Sequence, residues 1–253
     1  MRQLSSSEST RSRNLVAAVT PRQSSQILNQ HRHPGLATLM MKNINLNIDQ
    51  LKRRAERGNA RAMYAVAHHL ATLPDAEAHR PEAVKLLKSA AAKGEKRAQF
   101  ALGTWYIHGV GVRKSYKTAY RYLLSSAKQG YAPAQSDLAV ALENGKGVKT
   151  NKKEAARWYR KAAEQGDPDA QRELAYNYFH GIGLKPNLKT ALYWASKAAK
   201  KGDAESQYSL GACYERGMGV KQNLKRALFW YQKAAAQGHH QALFALKELR
   251  KTR

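Results

Sequence analysis

Between residues 95 and 238 the apolar positions fall into two alternating stripes that return every 36 residues. The first stripe runs Ala98, Leu102, Gly103, Tyr106. It returns as Ala134, Leu138, Ala139, Leu142, then as Ala170, Leu174, Ala175, Tyr178, then as Ser206, Leu210, Gly211, Tyr214. Steps of three and four place each set on one face of a helix. The second stripe runs Ala119, Tyr122, Leu123, Ser126, Ala127. It returns as Ala155, Trp158, Tyr159, Ala162, Ala163, then as Ala191, Trp194, Ala195, Ala198, Ala199, then as Ala227, Trp230, Tyr231, Ala234, Ala235. Small residues alternate with large rings, so two helices can approach closely while a ring fills the gap. Each period therefore predicts an antiparallel helix pair. One pair cannot bury its apolar face alone, so the pairs are expected to stack on their neighbours.

Glycines keep the same period. Gly58, Gly94, Gly130, Gly166, Gly202 and Gly238 stand 36 residues apart, each just past a second helix, where a left-handed cap is expected. Gly109 and Gly111 recur as Gly145 and Gly147, Gly181 and Gly183, Gly217 and Gly219, in the turn between the helices. Taken alone, "HGVGVRKS" (His108 to Ser115) looks like a phosphate-binding loop. It returns as "GKGV", "GIGL" and "GMGV", and no second glycine stands immediately before the lysine. A phosphate loop is normally a single site, so four copies at a fixed period indicate architecture.

The pattern A-x-x-x-L-G-x-x-Y, G-x-G-V, A-x-x-W-Y-x-K-A-A-x-x-G resembles the Sel-one-like repeat family, a relative of the tetratricopeptide repeats. The segment "SQYSLGACYERGMGVKQNLKRALFWYQKAAAQG", Ser206 to Gly238, carries it most fully. The resemblance implies an all-α, right-handed superhelical solenoid of stacked antiparallel helix pairs. It also implies a non-enzymatic adaptor or scaffold that holds another protein on the concave surface, with no cofactor. Disulfide-linked secreted members exist in that family, and this chain lacks their cysteines.

The expected organisation follows the period. Residues 1–45 form a basic Ser/Arg-rich tail without helical periodicity, expected to be disordered. Residues 46–58 supply a half repeat and 59–94 a degenerate copy, in which "TLPDAEAHRP" replaces the glycine loop. Full copies follow at 95–130, 131–166, 167–202 and 203–238. Residues 239–253 supply a lone first helix that caps the array, with Lys247 and Arg250 at positions that are Gly211 and Tyr214 one period earlier.

On the first helices a second stripe lies about half a turn from the core stripe. Phe100, Thr104, Ile107 and His108 hold it in one copy, Arg172, Tyr176, Phe179 and His180 in another, and Tyr208 and Arg216 in the last. In related repeat folds this stripe lines the groove, and aromatic rings and arginine are the residue types that carry binding energy. The competing reading is packing between neighbouring repeats. His108 and His180 are two repeats apart, too far to share one metal ion when neighbouring helices pack at about 10 Å. No Ser/His/Asp spacing and no paired carboxylates stand out, so no enzyme is expected.

A basic column follows the glycine loops. Arg113, Lys149, Lys185 and Lys221 come first, and Lys117, Lys153, Lys189 and Lys225 follow four residues later. Between them Ser115, Asn151, Asn187 and Asn223 suit helix N-caps. A cation in the first turn opposes the helix dipole, at a cost of a few tenths of a kcal/mol. Four repetitions point to a basic ridge that meets an acidic protein surface or peptide, or to tolerated drift.

Charge widens the question. Lys+Arg is 44 against 18 for Asp+Glu, and the net charge is +26. Such a chain attracts polyanions, so nucleic acid or an anionic surface is the rival partner class. No recognised nucleic-acid motif accompanies the charge. The single cysteine, Cys213, excludes an intramolecular disulfide. No run of about 18 apolar residues predicts a membrane span. A monomeric cytoplasmic protein is expected, with organelle targeting or export through the N-terminal tail left open.

Overall fold

The computed structural model describes residues 47–251. All regular structure among them is helical: α1 (residues 47–56), α2 (Ala60–Thr72), α3 (Ala76–Ala92), α4 (Lys96–His108), α5 (Tyr116–Lys128), α6 (Ala132–Asn144), α7 (Lys152–Glu164), α8 (Pro168–His180), α9 (Leu188–Lys200), α10 (Ala204–Arg216), α11 (Leu224–Ala236) and α12 (His240–Lys251). The fold is an all-α helical solenoid with the 36-residue period, first helices alternating with second helices. The tail expected over residues 1–45 lies outside the described residues.

Two compact units divide the chain. The first runs to Leu102 and includes Gly109–Arg113; the second holds Gly103–His108 and everything from Lys114 onward. In the first unit α2 packs on α3. The degenerate copy differs from the others in a specific way. Its glycine loop is replaced by one further turn of helix, so α3 is 17 residues long where its counterparts have 13. Pro81 stands where those counterparts make their first turn, the part of a helix in which a missing N–H costs least.

In the second unit packing is sequential: α6 on α7, α7 on α8, α8 on α9, α9 on α10, α10 on α11, α11 on α12. The core is built from the two stripes. Leu138, Leu174 and Leu210 are 3% exposed or less, as are Ala155, Tyr159, Ala163, Ala198, Ala227 and Tyr231. Small positions opposite large ones set the spacing. A Cβ on Gly211 would lie 2.5 Å from the Tyr231 ring, and one on Gly103 would lie 2.8 Å from Leu123.

Each second helix from α5 onward is entered the same way. The side chains of Ser115, Asn151, Asn187 and Asn223 accept from the amides of Thr118, Glu154, Thr190 and Arg226. Their own amides donate back to the carbonyls of Tyr106, Leu142, Tyr178 and Tyr214 on the preceding first helix. One residue therefore caps a helix and closes the loop before it.

The glycine loops serve packing. Gly183 has φ +72°, and a Cβ there would overlap the Lys152 carbonyl at the start of α7. Gly147 sits in the same way against the Tyr116 carbonyl at the start of α5. The space a phosphate would need is filled by the preceding repeat.

Candidate functional site

A polar seam joins successive repeats. Gln99, Gln135, Gln171 and Gln207 are 2–6% exposed. Their Nε2 groups donate to the carbonyls of Ala91, Ala127, Ala163 and Ala199, at 3.2, 3.1, 3.0 and 3.0 Å. Each bond is a second one to a carbonyl in the last turn of a second helix, which also accepts from the amide of Gly94, Gly130, Gly166 or Gly202. Gln165 and Gln237 then donate to the Oε1 atoms of Gln135 and Gln207, at 2.7 and 2.8 Å. Residue 201 occupies that column opposite Gln171 and is a lysine, whose ammonium reaches the Gly166 carbonyl instead. The Gln171 Oε1 is left without a partner.

The expected groove residues divide into two groups. Tyr176 is 53% exposed, and its ring lies 4.2 Å from His180, with Phe179 4.9 Å from the same imidazole. Tyr208, half-buried on α10, stacks on His239 at 4.8 Å, and His239 contacts the Glu205 carboxylate at 3.1 Å. His108 and Arg216 are exposed; Phe100, Ile107 and Phe179 are half-buried. Thr104 corrects the expectation, because at 5% exposure it is enclosed by neighbours and offers nothing to a partner.

Arg172, also expected in the groove, is held in an ion-pair cluster. Its guanidinium lies 2.8 Å from Asp169 and from Asp203 and 3.1 Å from Glu173, with its side chain 18% exposed. Burial would lower its pKa, but the carboxylates of Glu173, Asp203 and Asp169 outweigh that and hold it above its usual value. An arginine so held ties α8 to the N-cap of α10. Two carboxylates near the same face are also engaged. Tyr159 donates to Glu143 at 3.1 Å and Tyr231 to Glu215 at 2.6 Å. The repeat between them has Phe179 and Ala195 at the matching positions, a ring from the first helix replacing the ring from the second. The charges of this face largely neutralise one another, and what remains accessible is aromatic.

All eight residues of the expected ridge are exposed, and none makes an ion pair among the described residues. The first helices α6, α8 and α10 carry Asp137, Glu143, Asp169, Glu173, Glu205 and Glu215 against Arg172 and Arg216. The second helices α5, α7, α9 and α11 carry fourteen basic side chains against two acidic ones. Over these repeats the second helices are strongly basic, while the first helices α6, α8 and α10 carry more acid than base and would not attract an acidic partner. Sequence reading missed both this division and the glutamine seam, although Gln99, Gln135, Gln171 and Gln207 keep the 36-residue period.

Cys213 is 7% exposed, and burial raises its pKa, so it packs as a small apolar residue. Among the described residues no group of three or more His, Cys, Asp or Glu is placed to hold a metal ion. Likewise, no helix there is long and apolar enough to cross a membrane.

Comparison with known proteins gives one consistent answer. The family model for the Sel1 repeat matches residues 60–95, 96–131, 132–167, 168–203 and 204–239. A protective antigen present in uropathogenic Escherichia coli strains, which displays an SLR fold, is 33% identical with a TM-score of 0.76. That match covers 80% of this chain, and the chain spans only 43% of the antigen. A Sel1 repeat protein from Oxalobacter formigenes is 32% identical with a TM-score of 0.67, over 75% of each chain. A search of curated proteins finds no match.

Proposed function

The chain belongs to the Sel1 repeat family, whose members are generally protein-interaction scaffolds, and on that premise we propose that it is a non-enzymatic adaptor holding another protein on the face of its first helices. The observation that carries the reading is the accessible aromatic set Tyr176, Phe179, His180 and Tyr208 on successive first helices. It sits over a floor whose charges are already paired. Rings exposed on a rigid, internally neutralised surface offer contact area at small entropic cost. A partner segment that brings its own apolar side chains suits this face better than an acidic peptide does. The acidic partner fits the ridge of Arg113, Lys117 and their counterparts, which would add salt-dependent attraction at its edge. A monomer in the cytoplasm completes the proposal.

The test is affinity capture from native lysate with the full chain and with a Tyr176→Ala/Phe179→Ala/Tyr208→Ala variant, with and without nuclease. A protein retained at moderate salt, insensitive to nuclease and lost from the variant supports the adaptor reading. Capture that ignores the variant and disappears with salt or nuclease refutes it.

A further inference from the structure

We propose that the solvent-facing stripe of α5, α7, α9 and α11 is a peripheral docking surface for an anionic phospholipid bilayer. This inference does not depend on the aromatic face of the first helices, although Lys117, Lys153, Lys189 and Lys225 of the ridge belong to the stripe. On α9 the stripe is Lys189, Tyr193, Lys197, and on α11 it is Lys225, Phe229, Lys233. On α7 it is Lys153, Arg157, Lys161, and on α5 Lys117 and Arg121. Steps of four keep each set on one line of its helix, and the 36-residue period brings the lines to matching positions. Every one of these side chains is exposed.

Two observations select a lipid surface. The first is the division of charge. Helices α5, α9 and α11 carry no acid; α7 has two, Glu154, which is engaged by the N-cap Asn151, and the exposed Glu164 at its C-terminal end, against five basic side chains. A bilayer with anionic headgroups rewards many cations on one face without requiring a specific geometry. The second is the placement of rings within that charge. Tyr193 is 52% and Phe229 50% exposed, though neither is needed for a core. The Lys197 ammonium lies 4.8 Å from the Tyr193 ring centre and the Lys233 ammonium 5.2 Å from that of Phe229. Trp194 and Trp230 meet the same rings edge-on at 4.9 and 5.0 Å. With lysines over their faces, the rings are poorly placed to stack on bases but can enter a headgroup layer edge first. Lysine stems lie along apolar surface while their ammonium groups reach outward to the phosphates. Leu188 and Leu224, 41% and 48% exposed at the starts of α9 and α11, extend the apolar component. Nucleic acid would use the cations but has little use for half-exposed leucine and phenylalanine.

The experiment is co-sedimentation of the full chain with vesicles of phosphatidylcholine alone and of an equimolar phosphatidylcholine–phosphatidylserine mixture. Tryptophan emission is followed in parallel. The expected result is binding to the mixture only, with a blue shift from the half-buried Trp230, since Trp194 is only 8% exposed and already surrounded by protein. A Lys189→Gln/Lys197→Gln/Lys225→Gln/Lys233→Gln variant should bind at least tenfold more weakly. A Tyr193→Ser/Phe229→Ser variant should lose the blue shift and at least fivefold in affinity. All these substitutions are exposed, and circular dichroism checks that each variant folds. The Tyr176→Ala/Phe179→Ala/Tyr208→Ala variant should bind vesicles normally, so failure here and failure of the adaptor reading are told apart. No binding to the mixture overturns the proposal. So does binding that the ring variant leaves intact, or a preference for a single-stranded oligonucleotide that competes the chain off the vesicles.

Discussion

Replacing Lys201 by glutamine should stabilise the protein by completing the one incomplete joint in the glutamine seam. Gln135 and Gln207 each have both ends of the carboxamide engaged, through Ala127 and Gln165 and through Ala199 and Gln237. Gln171 has only its Nε2 bond to Ala163, and its buried Oε1 is unpartnered. Leaving a buried acceptor unsatisfied costs about 1–3 kcal/mol. The exposed Lys201 contact with the Gly166 carbonyl that would be lost is worth about 0.5 kcal/mol. The expected net gain is about 1 kcal/mol, or about 2–4 °C in melting temperature for a chain of this size. Urea titration should show a higher midpoint at unchanged slope. Since repeat arrays can open one unit at a time, amide exchange in α8 and α10 should slow more than in α5. Removing a positive charge from a +26 chain could also stabilise it. The same substitution in a Gln171→Ala background separates the two causes. An equal gain in that background, or no gain in the native one, refutes the hydrogen-bond account.

Two further outcomes follow from the packing. Gly183→Ala must place a Cβ at φ +72° against the Lys152 carbonyl, whereas Gly202→Ala faces open space at φ +97°. The second should cost about 1–2 kcal/mol, that of a left-handed alanine alone, and the first clearly more; equal losses in urea titration would show that the loop is not seated on α7. Burial raises the Glu143 pKa, helped by Glu173, against the lowering by the Tyr159 hydrogen bond and Lys152. A carboxyl raised in the folded state contributes stability below its unfolded value near 4.3, and that contribution is lost as pH rises through the folded value. Glu143→Gln should therefore gain on the native protein in urea midpoint between pH 4 and pH 7, and a variant that instead loses ground over that interval contradicts the reading.

The repeat frame was legible because it rests on periodic requirements. A left-handed cap needs glycine at Gly130 and Gly202, an N-cap needs a short oxygen-bearing side chain at Asn187 and Asn223, and a close crossing needs Gly211 opposite Tyr231. Each recurs with the 36-residue period, so the sequence carries it redundantly. The ion pairs of Arg172 were hidden for the opposite reason. Its column reads Phe100, Ser136, Arg172, Tyr208, and its fate is set by three carboxylates, one of them Asp203 from the next repeat. No periodicity announces such a contact. Thr104 shares a column with Val140, Tyr176 and Ala212, and only the packing around each decides whether it is enclosed like Thr104 or open like Tyr176. The glutamine seam was visible as a column, but a polar residue beside an apolar stripe looks solvent-facing until the neighbouring helix end is in place. The separation of charge was hidden for a simpler reason, since net charge sums over helices whose compositions are opposite.

A glutamine that reaches back eight residues to the end of the previous helix makes the same bond at Gln99, Gln135, Gln171 and Gln207. The four boundaries that carry it therefore share this bond, although the second bond to the glutamine differs where Lys201 stands in the column of Gln165 and Gln237. If residues 132–167 were excised, Gln171 would arrive opposite the Ala127 carbonyl that Gln135 now engages. Gene duplication or deletion in whole units of 36 residues would then keep the glutamine-to-carbonyl bond at each such seam, whereas a change of any other size would misalign it. Length in this molecule is a quantised, heritable variable, and the reach of its surfaces can be adjusted by lineage without inventing a new joint.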